Sequence, residues 1–130
     1  MADPVAVLLV EDEAEQRRLV AEILQREGFA VRQASTVAEA LDAIDVEVPD
    51  LVVCDWRMPE RDGGELLDEV RDRALGCGFI VMTAYGSIAH AMEAVRRGAD
   101  DYLSKPIKRD LLEEKLQQWA PEGAGLPPAG

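Results

Sequence analysis

Short apolar runs and helix-period stretches alternate five times along this chain, and that alternation limits the fold more than any other feature. The expected strands are the apolar runs Val5 to Val10, Leu51 to Cys54 and Phe79 to Met82, with the shorter and more polar Phe29 to Gln33 and Asp101 to Ser104. They are too short for helices. Leu51 to Cys54, with no polar residue in it, reads as a strand buried on both faces. Between and after the runs lie amphipathic stretches, each with one apolar stripe. The stripes are Leu19, Val20, Ile23 and Leu24, then Val37, Ala40, Leu41 and Ile44, then Leu66, Leu67 and Val70. A fourth helix is expected from about Ser87 to Arg97 with Ile88, Ala91, Met92 and Val95 inward, and a fifth with Leu111, Leu112, Leu116 and Trp119. Thr36 to Glu39 has the pattern of a capping box. Arg26 before Gly28, and Arg96-Arg97 before Gly98, are helix C-terminal signals. Five βα units require a parallel sheet with helices on both faces, because the crossovers are right-handed.

In such a sheet every strand's carboxyl end points to one edge, where ligands bind. Residues far apart in sequence meet there: Glu11 and Asp12 after the first strand, Asp55 after the third, Thr83 after the fourth and Lys105 after the fifth. Converging carboxylates repel unless hydrated, protonated or neutralised by a cation. All are hard oxygen donors, with no His or Cys among them, which suits Mg²⁺. Lys105 adds a positive charge and Thr83 a hydroxyl donor. A metal, a lysine and a hydroxyl around one carboxylate form the surroundings that phosphoryl transfer to that carboxylate needs.

Composition narrows the alternatives. At 130 residues the chain is one domain of ordinary size, with 48% apolar residues, so it can bury a core. Acidic residues number 26 against 14 basic, a net charge of −12, which argues against direct nucleic-acid binding. No apolar run approaches membrane-spanning length, and Met1 to Pro4 lacks the basic start of a secretory signal. Cys54 and Cys77 lie in or beside apolar strands and fit buried, reduced thiols, which places the chain in the cytosol. Residues 1–120 read as the domain, and 121–130, with three prolines and three glycines, as a linker or tail.

The residues above resemble the receiver domain of two-component response regulators, the CheY-like superfamily with a flavodoxin-like (βα)5 doubly wound parallel sheet of strand order 2-1-3-4-5. The landmarks are Glu11-Asp12, Asp55 in Asp-x-x-Met-Pro followed by Asp62-Gly63, Thr83-Ala84, Tyr102 and Lys105-Pro106, spread over Val5 to Trp119. The stretch from Thr83 to Ile107 is similar to receivers of the nitrogen-regulator group, which precede an ATPase domain acting on sigma-54 polymerase. The resemblance implies that Asp55 is the phosphoacceptor and that a sensor histidine kinase is the donor. It implies Mg²⁺ held by Asp12, Glu11 (through water), Asp55 and the backbone carbonyl of Arg57. It implies that Lys105 contacts the acyl phosphate, that Thr83 senses it, and that Tyr102 swings between exposed and buried states. A cis Lys105-Pro106 bond is expected, and Arg57 and Tyr85 are expected to slow hydrolysis by bulk. An output domain or partner, transcriptional in this group, would read the face of helix 4, strand 5 and helix 5. Such domains also dimerise through helices four and five, or one and five.

Taken singly, each residue has a plainer reading. Asp12 could cap the first helix, Thr83 could be a strand-end hydroxyl, Tyr102 a half-buried strand aromatic and Lys105 a solvated charge. Asp50, Asp62, Asp100 and Asp101 read as loop acids, Trp56 and Trp119 as packing residues, and Gly86 as a positive-φ loop position. His90, the sole histidine, is placed on the outer face of helix four. Two other classes compete. A phosphatase of the haloacid-dehalogenase type would need a second Asp where Arg57 stands. A receiver fold without phosphorylation, serving only as an interaction module, would not need the whole set. A flavodoxin would need a phosphate cradle where Glu11-Asp12-Glu13 stands.

Overall fold

The strands β1 (Ala6–Val10), β2 (Ala30–Ala34), β3 (Leu51–Asp55), β4 (Gly78–Thr83) and β5 (Asp101–Ser104) form one sheet in the order β2-β1-β3-β4-β5. Every pairing is parallel. A computed structural model describes residues 4–84 and 86–119. Tyr85, with the modulating role expected of it, and the expected linker 121–130 lie outside the described residues. Five helices alternate with the strands: α1 (Ala14–Arg26), α2 (Val37–Val46), α3 (Gly63–Asp72), α4 (Ile88–Arg96) and α5 (Arg109–Leu116). A 3-10 turn, Gln117–Trp119, follows α5. Among these, no helix is long and apolar enough to cross a membrane.

The two-residue period of the strands sorts the core into two layers. Leu8, Val10, Val52, Cys54, Phe79 and Val81 point to the face covered by α2, α3 and α4. Val7, Leu9, Leu51, Val53, Ile80 and Met82 point to the face covered by α1 and α5. All five residues of β3 are buried, as a central strand requires. β2 lies at the edge, starts one residue later than its pattern suggests, and leaves Phe29 buried in the turn before it. Both cysteines are free and buried.

The helix starts follow side-chain chemistry. Thr36 accepts a hydrogen bond from the Glu39 amide at 3.0 Å. Glu39 accepts from the Ser35 amide at 2.9 Å, one residue earlier than a capping box would have it. Asp62 is not an idle loop acid, because it caps α3 through the Glu65 amide at 3.1 Å. Asp50 and Asp100 likewise accept from the Ala6 and Phe79 amides, both at 2.8 Å, and so tie loops to strand starts. Gly86 has φ 79° as expected.

Two stripes differ from their sequence reading. In α1, Leu19 is exposed, while Val20, Ala21, Ile23 and Leu24 are buried. In α4 the difference is larger. Ile88, Met92 and Val95 are 70%, 64% and 47% exposed, and the buried positions are Ala91 and Ala94. His90 turns inward beside Trp56, with ring centroids 6.3 Å apart, not to the outer face. Arg97, on the same side, places its guanidinium 5.3 Å from the Trp56 ring and pairs with Asp68 of α3 at 2.6 Å. The apolar period identifies a face but not its direction. Here small alanines let α4 approach the sheet, and the bulky side chains fall outside.

Candidate functional site

The chain runs from β1 to β2 on one side and then crosses to β3 on the other, so a crevice opens beyond the ends of β1 and β3. Glu11 and Asp12 leave β1 there, and Asp55 ends β3. Carboxylate oxygens of Glu11, Asp12 and Asp55 lie within 4.8 Å of one another. Glu11 and Asp55 are buried, whereas Asp12 is exposed at the rim. Asp12 is not the cap of α1: that position is Glu13, which makes no side-chain cap bond.

Glu11 is fixed from several directions. Its amide donates to the Ala34 carbonyl at 3.0 Å, and its own carbonyl accepts from Arg17 at 2.8 Å. Oε2 accepts from the Glu13 amide at 3.2 Å. Oε1 is buried without a hydrogen-bond donor. Burial first, and the charge of Asp55 second, push the Glu11 carboxyl up to about 7.

Lys105 reaches into this cluster from the end of β5. Its Nζ donates to Asp55 Oδ2 at 2.6 Å. It also lies 3.1 Å from Glu11 Oε1, as a charge contact without hydrogen-bond alignment. Burial pulls the ammonium's pKa down, but the Asp55 hydrogen bond and the two carboxylate charges outweigh it, and Lys105 stays above its ordinary value. The Lys105 amide donates to the Thr83 carbonyl at 2.8 Å, and the Lys105-Pro106 bond is cis.

The remaining expected residues surround this centre. The Arg57 amide donates to Asp55 Oδ1 at 3.3 Å, so that peptide borders the cluster, while the Arg57 side chain is exposed. Asp55 pairs with Met82 across the sheet, which puts Thr83 one residue beyond it on β4. Thr83 is buried, and among the described residues its hydroxyl makes one long 3.5 Å bond, to the Leu103 carbonyl. Tyr102 stands apart on β5, 40% exposed, with its ring turned outward. Cys54 is adjacent but inert: burial, then the Asp55 charge, raises its thiol well above the ordinary value.

Two contributors carry little sequence signal. Gly63 opens α3 against the β3 end, and its amide donates to the Trp56 carbonyl at 2.9 Å. A Cβ there would lie 2.2 Å from the Asp55 carbonyl oxygen. The other is Lys115 of α5, which lies over the Tyr102 ring at 5.5 Å and pairs with Asp101 at 3.0 Å. Asp101 is therefore an anchor and not a free loop acid. The Asp62-Gly63 landmark marked the first position but not its contact with Asp55. Nothing local announces the second.

Three carboxylates facing one ammonium leave the cluster short of positive charge. Burial limits how far water can screen the excess negative charge, and the oxygen-only donor set fits a small hard divalent cation.

A family model described as the response regulator receiver domain matches residues 7–117. The chain belongs to that family. The receiver is 37% identical over 122 residues to the transcriptional regulatory protein GlrR of Escherichia coli, covering 91% of this chain and 28% of GlrR. It is 33% identical over 123 residues to the photosynthetic apparatus regulatory protein RegA of Cereibacter sphaeroides, covering 95% of this chain and 65% of RegA. The receiver thus spans only about a quarter of GlrR and two thirds of RegA. Among solved structures, the receiver domain of NtrX from Brucella abortus is 37% identical with a TM-score of 0.82, covering 86% of this chain and 95% of that one. A response regulator from Chloroflexus aurantiacus is 30% identical with a TM-score of 0.85, covering 89% and 97%.

Proposed function

We propose that this receiver accepts a phosphoryl group on Asp55 from the phosphohistidine of a sensor kinase and relays the event to an output domain or partner. The observation that carries the reading is the 2.6 Å bond from Lys105 Nζ to Asp55 Oδ2 inside the Glu11–Asp12–Asp55 cluster. Asp55 accepts hydrogen bonds at both oxygens and lies at the sheet edge, where a donor can reach it. A carboxylate oxygen attacks phosphorus. The phosphorus–nitrogen bond of the donor breaks, and its electron pair returns to the imidazole.

Glu11, Asp12, Asp55 and the Arg57 carbonyl would hold Mg²⁺, which when bound supplies positive charge to the phosphoryl oxygens. Lys105 then exchanges part of its contact with Asp55 for a phosphoryl oxygen, matching charge where it develops. The Thr83 hydroxyl, held by one long bond, turns to the new oxygens. Its departure from the Leu103 carbonyl leaves room beside β5, and the Tyr102 ring turns inward. The face of α4, β5 and α5 thereby changes between two populated arrangements, and phosphorylation favours one. An exposed Arg57 beside Asp55 limits the approach of water to the acyl phosphate.

The likeness to GlrR and to the NtrX receiver supports a transcriptional output, in the nitrogen-regulator group and in the cytoplasm, where free buried thiols persist. The test is incubation with acetyl phosphate and Mg²⁺. Wild type should take up phosphoryl groups, and Asp55→Asn should take up none while keeping its circular dichroism. Labelling of the folded Asp55→Asn protein would refute the reading.

A further inference from the structure

Tyr102 is 40% exposed, so burial in the core gives its ring no reason to keep one orientation. Its surroundings supply one. Lys115 extends from α5 and sets its ammonium 5.5 Å from the ring centroid. Asp101 Oδ1 accepts from the ammonium at 3.0 Å. The same oxygen accepts from the Tyr102 amide at 2.8 Å. One carboxylate therefore fixes both the cation and the backbone that carries the ring. The ring is the common member of two surfaces, since it also lines a groove of about 330 Å³ with Ile88, Met92 and Val95 of α4.

We infer that Lys115, anchored by Asp101, is a latch that holds Tyr102 in its outward orientation and so sets how readily the domain enters its phosphorylated state. The inference rests on the phosphoacceptor reading given above. A cation over an aromatic face stabilises the orientation that makes the contact. Turning the ring inward breaks that contact. Lys115 is thus a positioning residue, which acts through Tyr102 and touches no reacting atom.

The direction of the effect separates this role from simple electrostatics. A positive charge that merely attracted anions to the domain would, when removed, weaken anion binding. A latch, when removed, enlarges the inward population and strengthens it.

Beryllofluoride, which mimics an aspartyl-bound phosphoryl group, serves as the probe. With Mg²⁺ present, Lys115→Met should bind it roughly 2- to 5-fold more tightly than wild type, a ratio set by the usual strength of an exposed cation–ring contact. Lys115→Arg should restore wild-type affinity, since a guanidinium keeps the charge over the ring. In Tyr102→Leu, adding Lys115→Met should change nothing. Thermal unfolding of each variant checks that all are equally folded. Weaker or equal binding by Lys115→Met overturns the latch, as does a gain that persists without the ring. If the wild type itself does not bind beryllofluoride, the phosphoacceptor reading falls and the latch with it. Normal wild-type binding with no Lys115 effect removes the latch alone.

Discussion

At the scale of single residues, the site is a problem in unbalanced charge. Glu11 is the member whose condition sequence could least convey. Its neighbour Asp12 has the same chemistry, yet Asp12 lies at the rim while Glu11 is buried, because the Glu11 amide is still bonded to the Ala34 carbonyl of β2 whereas Asp12 sits in the bend that follows. A carboxyl raised to about 7 by burial and by Asp55 has a defined consequence for the metal-free protein. The folded pKa is above the unfolded one, so Glu11's relative stabilisation is complete below about 4.5 and is lost as pH rises through about 7. Glu11→Gln should therefore be more stable than wild type above that range without Mg²⁺, and the gap should close as pH falls. Denaturant unfolding at pH 5 and pH 8 measures it; equal stability of the two proteins at pH 8 would contradict the burial argument. Adding Mg²⁺ should raise the melting temperature of wild type more than that of Glu11→Gln. The placement of Asp55, Thr83 and Lys105 at one sheet edge was legible because each ends or directly follows its own strand. Tyr85 is not among the described residues.

At the scale of elements, the helix faces divide into what period determines and what packing determines. Apolar spacing located α4 correctly, yet its rotation came from Ala91 and Ala94 fitting the sheet and from His90 and Arg97 flanking Trp56. Trp56 lies just past β3 and Asp68 on α3, far away in sequence, so no local window contains them. The rotation makes a stability prediction. Met92→Glu should shift stability by no more than about 0.5 kcal/mol, as expected for an exposed position. Ala94→Leu should cost about 1–3 kcal/mol by overpacking. The reverse order would restore the sequence-based orientation. Gly63 makes a second prediction. Its amide bonds Trp56, and a Cβ would meet the Asp55 carbonyl oxygen at 2.2 Å. Gly63→Ala should cost about 1–3 kcal/mol and also slow acetyl phosphate labelling, because the strand end that aims Asp55 must shift. Unchanged labelling would mean that the site tolerates the displacement.

At the scale of the whole molecule, topology does the assembly. Strand order β2-β1-β3-β4-β5 reverses direction between β1 and β3, and that reversal brings an acidic pair from residues 11 and 12 beside a carboxylate at 55. The alternation of five strands and five helices made this architecture readable, since right-handed crossovers leave few other arrangements. Depth, rotamer and partner were not readable, because they depend on contacts between elements. Everything therefore converges on whether Asp55 carries the phosphoryl group and whether a divalent ion is needed. The decisive measurement is borohydride reduction after exposure to acetyl phosphate, followed by peptide mass mapping, which turns an aspartyl phosphate into homoserine. Homoserine at position 55 alone, formed with Mg²⁺ and absent after chelation, is the predicted result. Homoserine at another position, or equal yields with and without Mg²⁺, would contradict the account.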